Sequence, residues 1–208
     1  MARSLIERAV KRAGTGVLAG MSQKDQYDLL YDWASWARPE QLPPPGDWLT
    51  WLVQAGRGWG KSRTGAEWIR HRVEQQGARR IALVGRTPSD VRDTMVEGES
   101  GILACSPADN RPAYKASLRR LTWPNGAMAL TFTSYEPDQL RGPQFDSIWW
   151  DELAAYQYLR ETWENGQLAL RLGPHPRQVV TTTPRPLALL KEIIKASSTH
   201  VTRGTTYD

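Results

Sequence analysis

The sequence predicts a three-layer α/β domain built on a mostly parallel central sheet. Short apolar segments alternate with segments of helical periodicity over most of the 208 residues. Helical crossovers between strands favour a parallel sheet that is covered on both faces. The length suits one domain with a sizeable core, so a single domain is the default expectation.

Helices and an extended connection are expected before the sheet begins. Apolar residues at helical spacing predict helices at Leu5–Lys11 and Gln23–Trp36, the second with Ser22 as its N-cap. The segment RPEQLPPPGD cannot be regular, because its prolines lack N–H donors and push the preceding residues out of the helical region. We therefore divide the chain into an N-terminal helical segment (1–37), a proline-rich loop (38–47) and a core (48–208).

The core is predicted to alternate strands with helices. The two strands on either side of Pro124-Asn125-Gly126 should form a β-hairpin, since these are turn-forming residues. Pro88, directly after Thr87, marks the first turn of a helix. In order, the predicted elements are strand Trp48–Gln54, helix Ser62–Gln75, strand Arg80–Gly85, helix Pro88–Val96, strands Leu118–Trp123 and Ala127–Thr133, strand Phe145–Trp150, helix Leu159–Leu172, strand Gln178–Thr182, helix Pro186–Ala196 and a last short strand at His200–Thr202.

Composition narrows the protein class. The single cysteine, Cys105, excludes an intramolecular disulfide and any cysteine-rich metal site. No apolar run approaches the ~20 residues needed to span a bilayer, and charges interrupt the first dozen residues, so we expect a soluble, intracellular protein with no membrane partner and no signal peptide. The net charge of +5 suits a polyanionic partner such as nucleic acid without requiring one.

A phosphate-binding loop is predicted between the first core strand and its helix. AGRGWGKS (55–62) ends like the P-loop pattern G-x-x-x-x-G-K-[ST], although Ala55 stands where the first glycine is usual. Gly58 and Gly60 would let the backbone approach the phosphates, Lys61 would reach the β- and γ-phosphates, and Ser62 would ligate Mg²⁺. The alternative is a glycine-rich turn that carries an incidental lysine.

A second motif strengthens the nucleotide-site interpretation. FDSIWWDE (145–152) is a mostly apolar strand that ends in two acids, the Walker B form, in which Asp151 holds the metal and Glu152 polarises the attacking water. Acids commonly follow strands, which is the structural alternative. The two motifs together predict an NTPase that uses ATP and Mg²⁺.

Three further positions fit the same site, and each has a structural alternative. Gln41 could contact the adenine edge or be a solvated loop residue. Arg141 could supply positive charge to the transition state of its own or a neighbouring subunit, or pair with Asp138 on the surface. Thr181–Thr183 could sense the γ-phosphate or be ordinary strand threonines.

These residues as a set resemble the large terminase subunit of tailed phages, prophages and gene transfer agents. The resemblance rests on RPEQLPPPGDW, AGRGWGKSRTGAEW, LRGPQFDSIWWDELA and VVTTTPRP, and it extends from about Trp33 to the end of the chain. It implies a motor ATPase of the additional-strand, catalytic-glutamate class of P-loop NTPases. The roles it implies are a Walker A loop at Gly56, Arg57, Gly58, Trp59, Gly60, Lys61 and Ser62, with Arg57 near the phosphates; Walker B acids Asp151 and Glu152; a coupling motif at Thr181, Thr182 and Thr183; adenine contact by Gln41; and an arginine finger acting in trans at Arg141.

The resemblance also implies partners and a location. A homo-oligomeric ring, by resemblance a pentamer, would sit on the portal protein of an empty capsid and pump double-stranded DNA inward. A small terminase subunit is the other expected partner, and the setting would be the cytoplasm of the bacterial host during virion assembly. The basic candidates for DNA contact are Arg79, Arg80, Lys115, Arg119 and Arg120, for which solvated surface charge is the alternative.

Two departures from the family pattern bear on activity. Ala55 replaces the first Walker A glycine, which concerns loop geometry rather than catalysis. The RNase H-like nuclease half of the family is not expected here, since about 25 residues follow Thr183 without a second carboxylate cluster, so no DNA cleavage is expected. The competing interpretations are a helicase-like nucleic-acid translocase and a non-hydrolysing DNA- or partner-binding module with a degenerate nucleotide site.

Overall fold

The computed structural model describes residues 20–205. The predicted helix Leu5–Lys11 lies outside the described residues. The second predicted helix is observed as two, α1 (Gln23–Tyr31) and α2 (Trp33–Trp36). The break falls at Asp32, whose backbone is not helical and whose carboxylate accepts a hydrogen bond from the Ser35 hydroxyl. Asp32 joins the two helices through its backbone, since its N–H donates to the Leu29 carbonyl and its carbonyl accepts from the Ser35 N–H.

The described residues form an eight-stranded sheet in the order β3-β4-β5-β2-β6-β7-β1-β8. The strands from β5 to β8 in this order are all parallel, and β4 and β3 extend the sheet antiparallel at one edge. The strands are β1 (Thr50–Ala55), β2 (Arg80–Gly85), β3 (Ala113–Lys115), β4 (Arg120–Thr122), β5 (Met128–Thr133), β6 (Ser147–Asp151), β7 (Arg177–Thr182) and β8 (Thr199–Gly204).

Helices cover both faces of this sheet. They are α3 (Lys61–Gln75), α4 (Pro88–Asp90), α5 (Ile102–Cys105), α6 (Leu159–Ala169) and α7 (Ala188–Lys195). Successive strand residues point to opposite faces, so Trp149 packs with α3 in one core cluster while Trp150 packs with α6 and α7 in the other. Gly65 of α3 approaches Trp149 so closely that an added Cβ would lie 2.1 Å from the indole. The predicted three-layer P-loop NTPase fold of the additional-strand class is confirmed, with β7 inserted between β1 and β6.

Several predicted boundaries are wrong for identifiable reasons. The helix predicted over 88–96 has these bounds, but only Pro88–Asp90 is α-helical, and Val91–Val96 is π-helical with Val91, Met95 and Val96 buried. β4 starts at Arg120 rather than Leu118, because Arg119 adopts a left-handed conformation with φ of 49° after a 3₁₀ turn. Neither β3 nor α5 was predicted, since each is only three or four residues long.

The remaining corrections concern the second half of the sheet. Phe145 precedes β6 and makes an isolated bridge to Leu170, and this bridge also ends α6 at Ala169 rather than at the predicted residue 172. Helix α7 begins at Ala188, two residues later than predicted, after Pro184 and Pro186. In the described range, 20–205, no helix is long and apolar enough to cross a membrane.

Candidate nucleotide site

The loop between β1 and α3 has the backbone of a phosphate-binding loop. Gly58 and Gly60 have φ of 76° and 94°, a region that side-chain-bearing residues rarely adopt, so glycine is required at both positions. Ala55, in contrast, is the last residue of β1, fully buried and paired with Gly204 of β8. Ala55 is therefore a strand residue whose backbone does not require glycine.

Lys61, the first residue of α3, is held over this loop. Its ammonium donates to the Gly56 carbonyl at 3.0 Å and forms an ion pair with Glu152 Oε1 at 3.1 Å. Only 7% of the lysine side chain is exposed, whereas 40% of the glutamate side chain is. Two residues 91 positions apart in the sequence thus meet at the carboxyl ends of β1 and β6.

The two Walker B acids have different environments. Asp151, the last residue of β6, is buried, and this burial raises its carboxyl pKa to about 7 against the lowering effect of a hydrogen bond from Thr181. The Thr181 hydroxyl reaches Asp151 Oδ1 at 2.7 Å. Glu152 adopts the left-handed conformation with φ of 51°, a strained state for a non-glycine residue. The strand thus buries one carboxylate and turns sharply to present the other.

Each of the three predicted coupling threonines contacts the Walker B region. The Thr181 hydroxyl also accepts from the Trp149 indole N–H at 2.9 Å. Thr182 Oγ1 accepts from the backbone N–H of Ala154 at 3.0 Å. The backbone N–H and hydroxyl of Thr183 both donate to Glu152 Oε2, at 3.2 and 3.1 Å. The threonine run therefore contacts the end of β6 and the turn that follows it.

A cleft of about 370 Å³ opens where these elements meet. It brings together the predicted Arg57, Ser62, Asp151, Glu152 and Thr183. It is also lined by residues that the sequence did not predict to belong to the site, namely Gly85, Arg86, Asp90, Thr94, Met95, Ala155 and Arg185. Arg86 and Arg185 follow the ends of β2 and β7, so the rule that ligands bind at the carboxyl ends of parallel strands was the signal that could have found them.

Gln41 lies against the phosphate-binding loop and is buried, which contradicts the alternative of a solvated side chain. Its amide accepts from the Arg38 backbone N–H at 3.1 Å and donates to the Trp59 carbonyl at 3.2 Å. The Arg38 guanidinium donates to the same carbonyl and lies 4.7 Å from the centre of the Trp59 ring. Trp59 in turn is packed against Gly204 of β8. Gln41 thus braces the loop, and its contact with adenine stays a prediction.

Arg141 lies away from this cleft. Its guanidinium pairs with Asp138 at 3.1 Å and donates to Asn165 at 3.1 Å, and 67% of the side chain is exposed. The pairing with Asp138 is the one that the structural alternative anticipated, and an arginine-finger role in trans stays a prediction.

The basic residues suggested for DNA contact lie on or next to strands β2, β3 and β4. Arg119 donates to Gln139, and Arg79 donates to the Asn125 carbonyl. The role of these residues in DNA contact stays a prediction.

Comparison with known proteins assigns this chain to a family. Residues 52–201 match the family model described as terminase large subunit, T4likevirus-type, N-terminal. No curated protein matches the chain.

Three solved structures illustrate the similarity of fold. The Thermus phage P74-26 large terminase ATPase domain has a TM-score of 0.60 at 13% identity, with 88% of this chain and 84% of that chain covered. The large terminase of a thermophilic bacteriophage in complex with ADP has a TM-score of 0.63 at 12% identity, over 88% of this chain and 45% of that chain. The N-terminal domain of the bacteriophage phi29 DNA packaging ATPase has a TM-score of 0.56 at 14% identity, over 78% and 93%. Because the family model matches residues 52–201, most of the core, the chain belongs to the T4likevirus-type family of terminase large subunits and corresponds to the N-terminal part of those proteins.

Proposed function

We propose that this chain is an ATP-hydrolysing motor domain that drives double-stranded DNA into a preformed capsid. The observation that carries the proposal is the ion pair of Lys61 with Glu152 beside the buried Asp151, at the mouth of a glycine-dependent loop. A phosphate-binding lysine and a water-activating glutamate are the two charged groups that P-loop hydrolysis requires.

The side chains at the cleft fit Mg²⁺. Ser62 and Asp151 both line it, and a hydroxyl and a carboxylate are the hard oxygen donors that this ion prefers. Ligation would favour the ionised form of Asp151, opposing the effect of burial on its pKa. When bound, Mg²⁺ supplies positive charge that neutralises the β- and γ-phosphates.

The ion pair suggests how water activation depends on the nucleotide. Phosphate oxygens compete with Glu152 for the Lys61 ammonium, so ATP binding releases the glutamate carboxylate from that pair. The freed carboxylate then accepts a hydrogen bond from water, whose oxygen bonds to the γ-phosphorus as the bond to the β,γ-bridging oxygen breaks. The products are ADP and inorganic phosphate, and the proton of the water passes to the carboxylate.

The contacts of Thr183 support a coupling role. It donates two hydrogen bonds to Glu152 Oε2, so any movement of the glutamate changes the position of the segment that leaves β7. We propose that this link carries the state of the nucleotide to the surface that holds DNA. Its partners would be double-stranded DNA, a portal protein, a small terminase subunit and further copies of the chain in a ring, in the cytoplasm of the bacterial host.

The test is ATP turnover by the ring-assembled protein with Glu152→Gln, which keeps the shape of the side chain and removes its basicity. We expect turnover to fall by about 10²- to 10⁴-fold, the usual contribution of a positioned general base, while ATP binding is retained. Glu192→Gln, on the exposed surface of α7, is the matched control and should leave turnover unchanged.

The results separate the competing functions. Turnover by Glu152→Gln equal to that of the wild type would refute the assignment of the base. ATP binding by an assembled wild-type protein that never turns over would favour the non-hydrolysing binding module. Hydrolysis that is stimulated by DNA but independent of capsids and portal would favour the helicase-like translocase.

A further inference from the structure

Arg185 is a charged residue of the cleft that the family motifs leave without a role. It lines the cleft together with Ser62, Asp151, Glu152 and Thr183. The neighbouring Arg86 also faces the cleft, but its charge is matched by Asp90 at 2.9 Å. Arg185 differs, because no carboxylate in residues 20–205 forms an ion pair with it.

The backbone around Arg185 is restricted by its neighbours in the sequence. Pro184 and Pro186 flank the residue, and a residue that precedes proline is confined to extended conformations. The Leu187 N–H donates to the Arg185 carbonyl at 2.9 Å, which closes a tight turn around Pro186. The segment is therefore held in place although it belongs to neither β7 nor α7.

The guanidinium also contacts the turn that carries the catalytic glutamate. Arg185 Nη1 donates to the Ala154 carbonyl at 3.4 Å, and the backbone N–H of the same Ala154 donates to Thr182. The 3₁₀ turn Leu153–Ala155 follows Glu152 directly. One residue beyond β7 and one within it thus hold the N–H and the carbonyl of a single residue, Ala154, two positions after the glutamate.

From this arrangement we propose that Arg185 binds the γ-phosphate of ATP and retains the inorganic phosphate after cleavage. A guanidinium has five N–H donors in a planar fork, so one donor can stay on the Ala154 carbonyl while others bind phosphate oxygens. Departure of the phosphate would leave the carbonyl as its only partner in the described chain. This inference rests on the proposed ATPase function and assigns Arg185 a binding role in cis.

The experiment compares two ligands in equilibrium binding: ADP alone, and ADP with beryllium fluoride, which mimics the γ-phosphate. Arg185→Gln should bind ADP as the wild type does and bind the beryllium fluoride complex about 10- to 100-fold more weakly, as expected for the loss of a charge-assisted hydrogen bond. Arg185→Lys keeps the charge but not the planar fork, so its affinity for the beryllium fluoride complex should lie between those of the wild type and Arg185→Gln. Arg171→Gln is the matched control, since Arg171 is also exposed but lies beside Phe145, before the amino end of β6, whereas the cleft lies at its carboxyl end.

Phosphate release gives a second measurement. In a single turnover followed with a phosphate sensor, Arg185→Gln should release inorganic phosphate at least about tenfold faster relative to its own cleavage rate. Equal weakening of both ligands in Arg185→Gln, or no weakening of either, would overturn the inference while leaving the ATPase proposal intact. A wild-type protein that binds neither ligand would overturn both.

Discussion

The hydroxyl of Thr181 joins two elements of the proposed site, so its removal should damage stability and activity together. The hydroxyl is buried, accepts from the Trp149 indole at 2.9 Å and donates to Asp151 Oδ1 at 2.7 Å. Thr181→Val preserves the branched shape but removes these hydrogen bonds and the contact of the same hydroxyl with the Trp150 carbonyl at 3.1 Å. No solvent reaches this position to replace them.

The expected loss follows from the two groups left without a partner. A buried donor without an acceptor costs about 1–3 kcal/mol, and a hydrogen bond to a charged group contributes about 1.5–3 kcal/mol. The two terms share one hydroxyl and are not additive, so we expect the free energy of unfolding to fall by about 2–4 kcal/mol. ATP turnover should fall by about 10- to 100-fold, because Asp151 loses the partner that orients it.

The matched control is Thr202→Val. Thr202 accepts from the Trp51 indole at the same 2.9 Å, but it is partly exposed on β8 and distant from the Walker B acids. Water can replace its hydroxyl, so we expect a loss below about 1 kcal/mol and unchanged turnover. Urea unfolding and steady-state ATPase assays measure both quantities. Equal effects of the two substitutions would refute the reasoning.

Two further predictions concern the helix that follows the phosphate-binding loop. Gly65→Ala should lower the free energy of unfolding in urea by about 1–3 kcal/mol, because the clash with the Trp149 indole outweighs the gain of about 1 kcal/mol in helix propensity. A more stable variant would show that the packing around Gly65 is looser than described. Burial, together with the charges of Arg72 and Arg70, lowers the pKa of His71 below its unfolded value of about 6.5. The contribution of neutral His71 to the free energy of unfolding is therefore fully present above about pH 6.5, and it is lost as the pH falls through the folded pKa. His71→Gln should therefore weaken the loss of stability between about pH 7 and pH 5, and an unchanged pH profile would contradict the burial argument.

The sequence predicted those parts of the site in which the local backbone or the position in a strand requires a particular type of residue. Gly58 and Gly60 were predictable because a tight phosphate loop needs positive φ, and both have it. Asp151 was predictable because an apolar strand that ends in acids places them at the ligand-binding edge of a parallel sheet. The order of the sheet, by contrast, depends on packing between distant segments. Family resemblance, rather than periodicity, predicted that a strand would lie between β1 and β6.

The parts that sequence reasoning missed depend on long-range contacts. Arg185 was missed because a polar residue between two prolines is typical of an ordinary surface turn, and only its position after the end of β7 pointed to the site. It enters the cleft only because β7 lies beside β6, which brings the end of one strand to the turn after the other. Arg141 shows the converse: the sequence suggested a role at the site, whereas the observed side chain lies outside the cleft and pairs with Asp138.

The position of β7 explains why three consecutive threonines contact three different groups. Side chains alternate across a strand, so Thr181 points to the Trp149 face of the sheet and Thr182 to the opposite face, where it meets Ala154. Thr183 lies beyond the end of β7 and bonds Glu152 instead. Both are held by strand pairing: Thr181 pairs with Asp151 of β6 and Val53 of β1, and Thr182 pairs with Gln54 of β1. Thr183 lies outside that pairing, so its contact with Glu152 is not held by the sheet. The run of threonines thus combines two residues held by the sheet, which contact Asp151 and Ala154, with one beyond it that contacts Glu152.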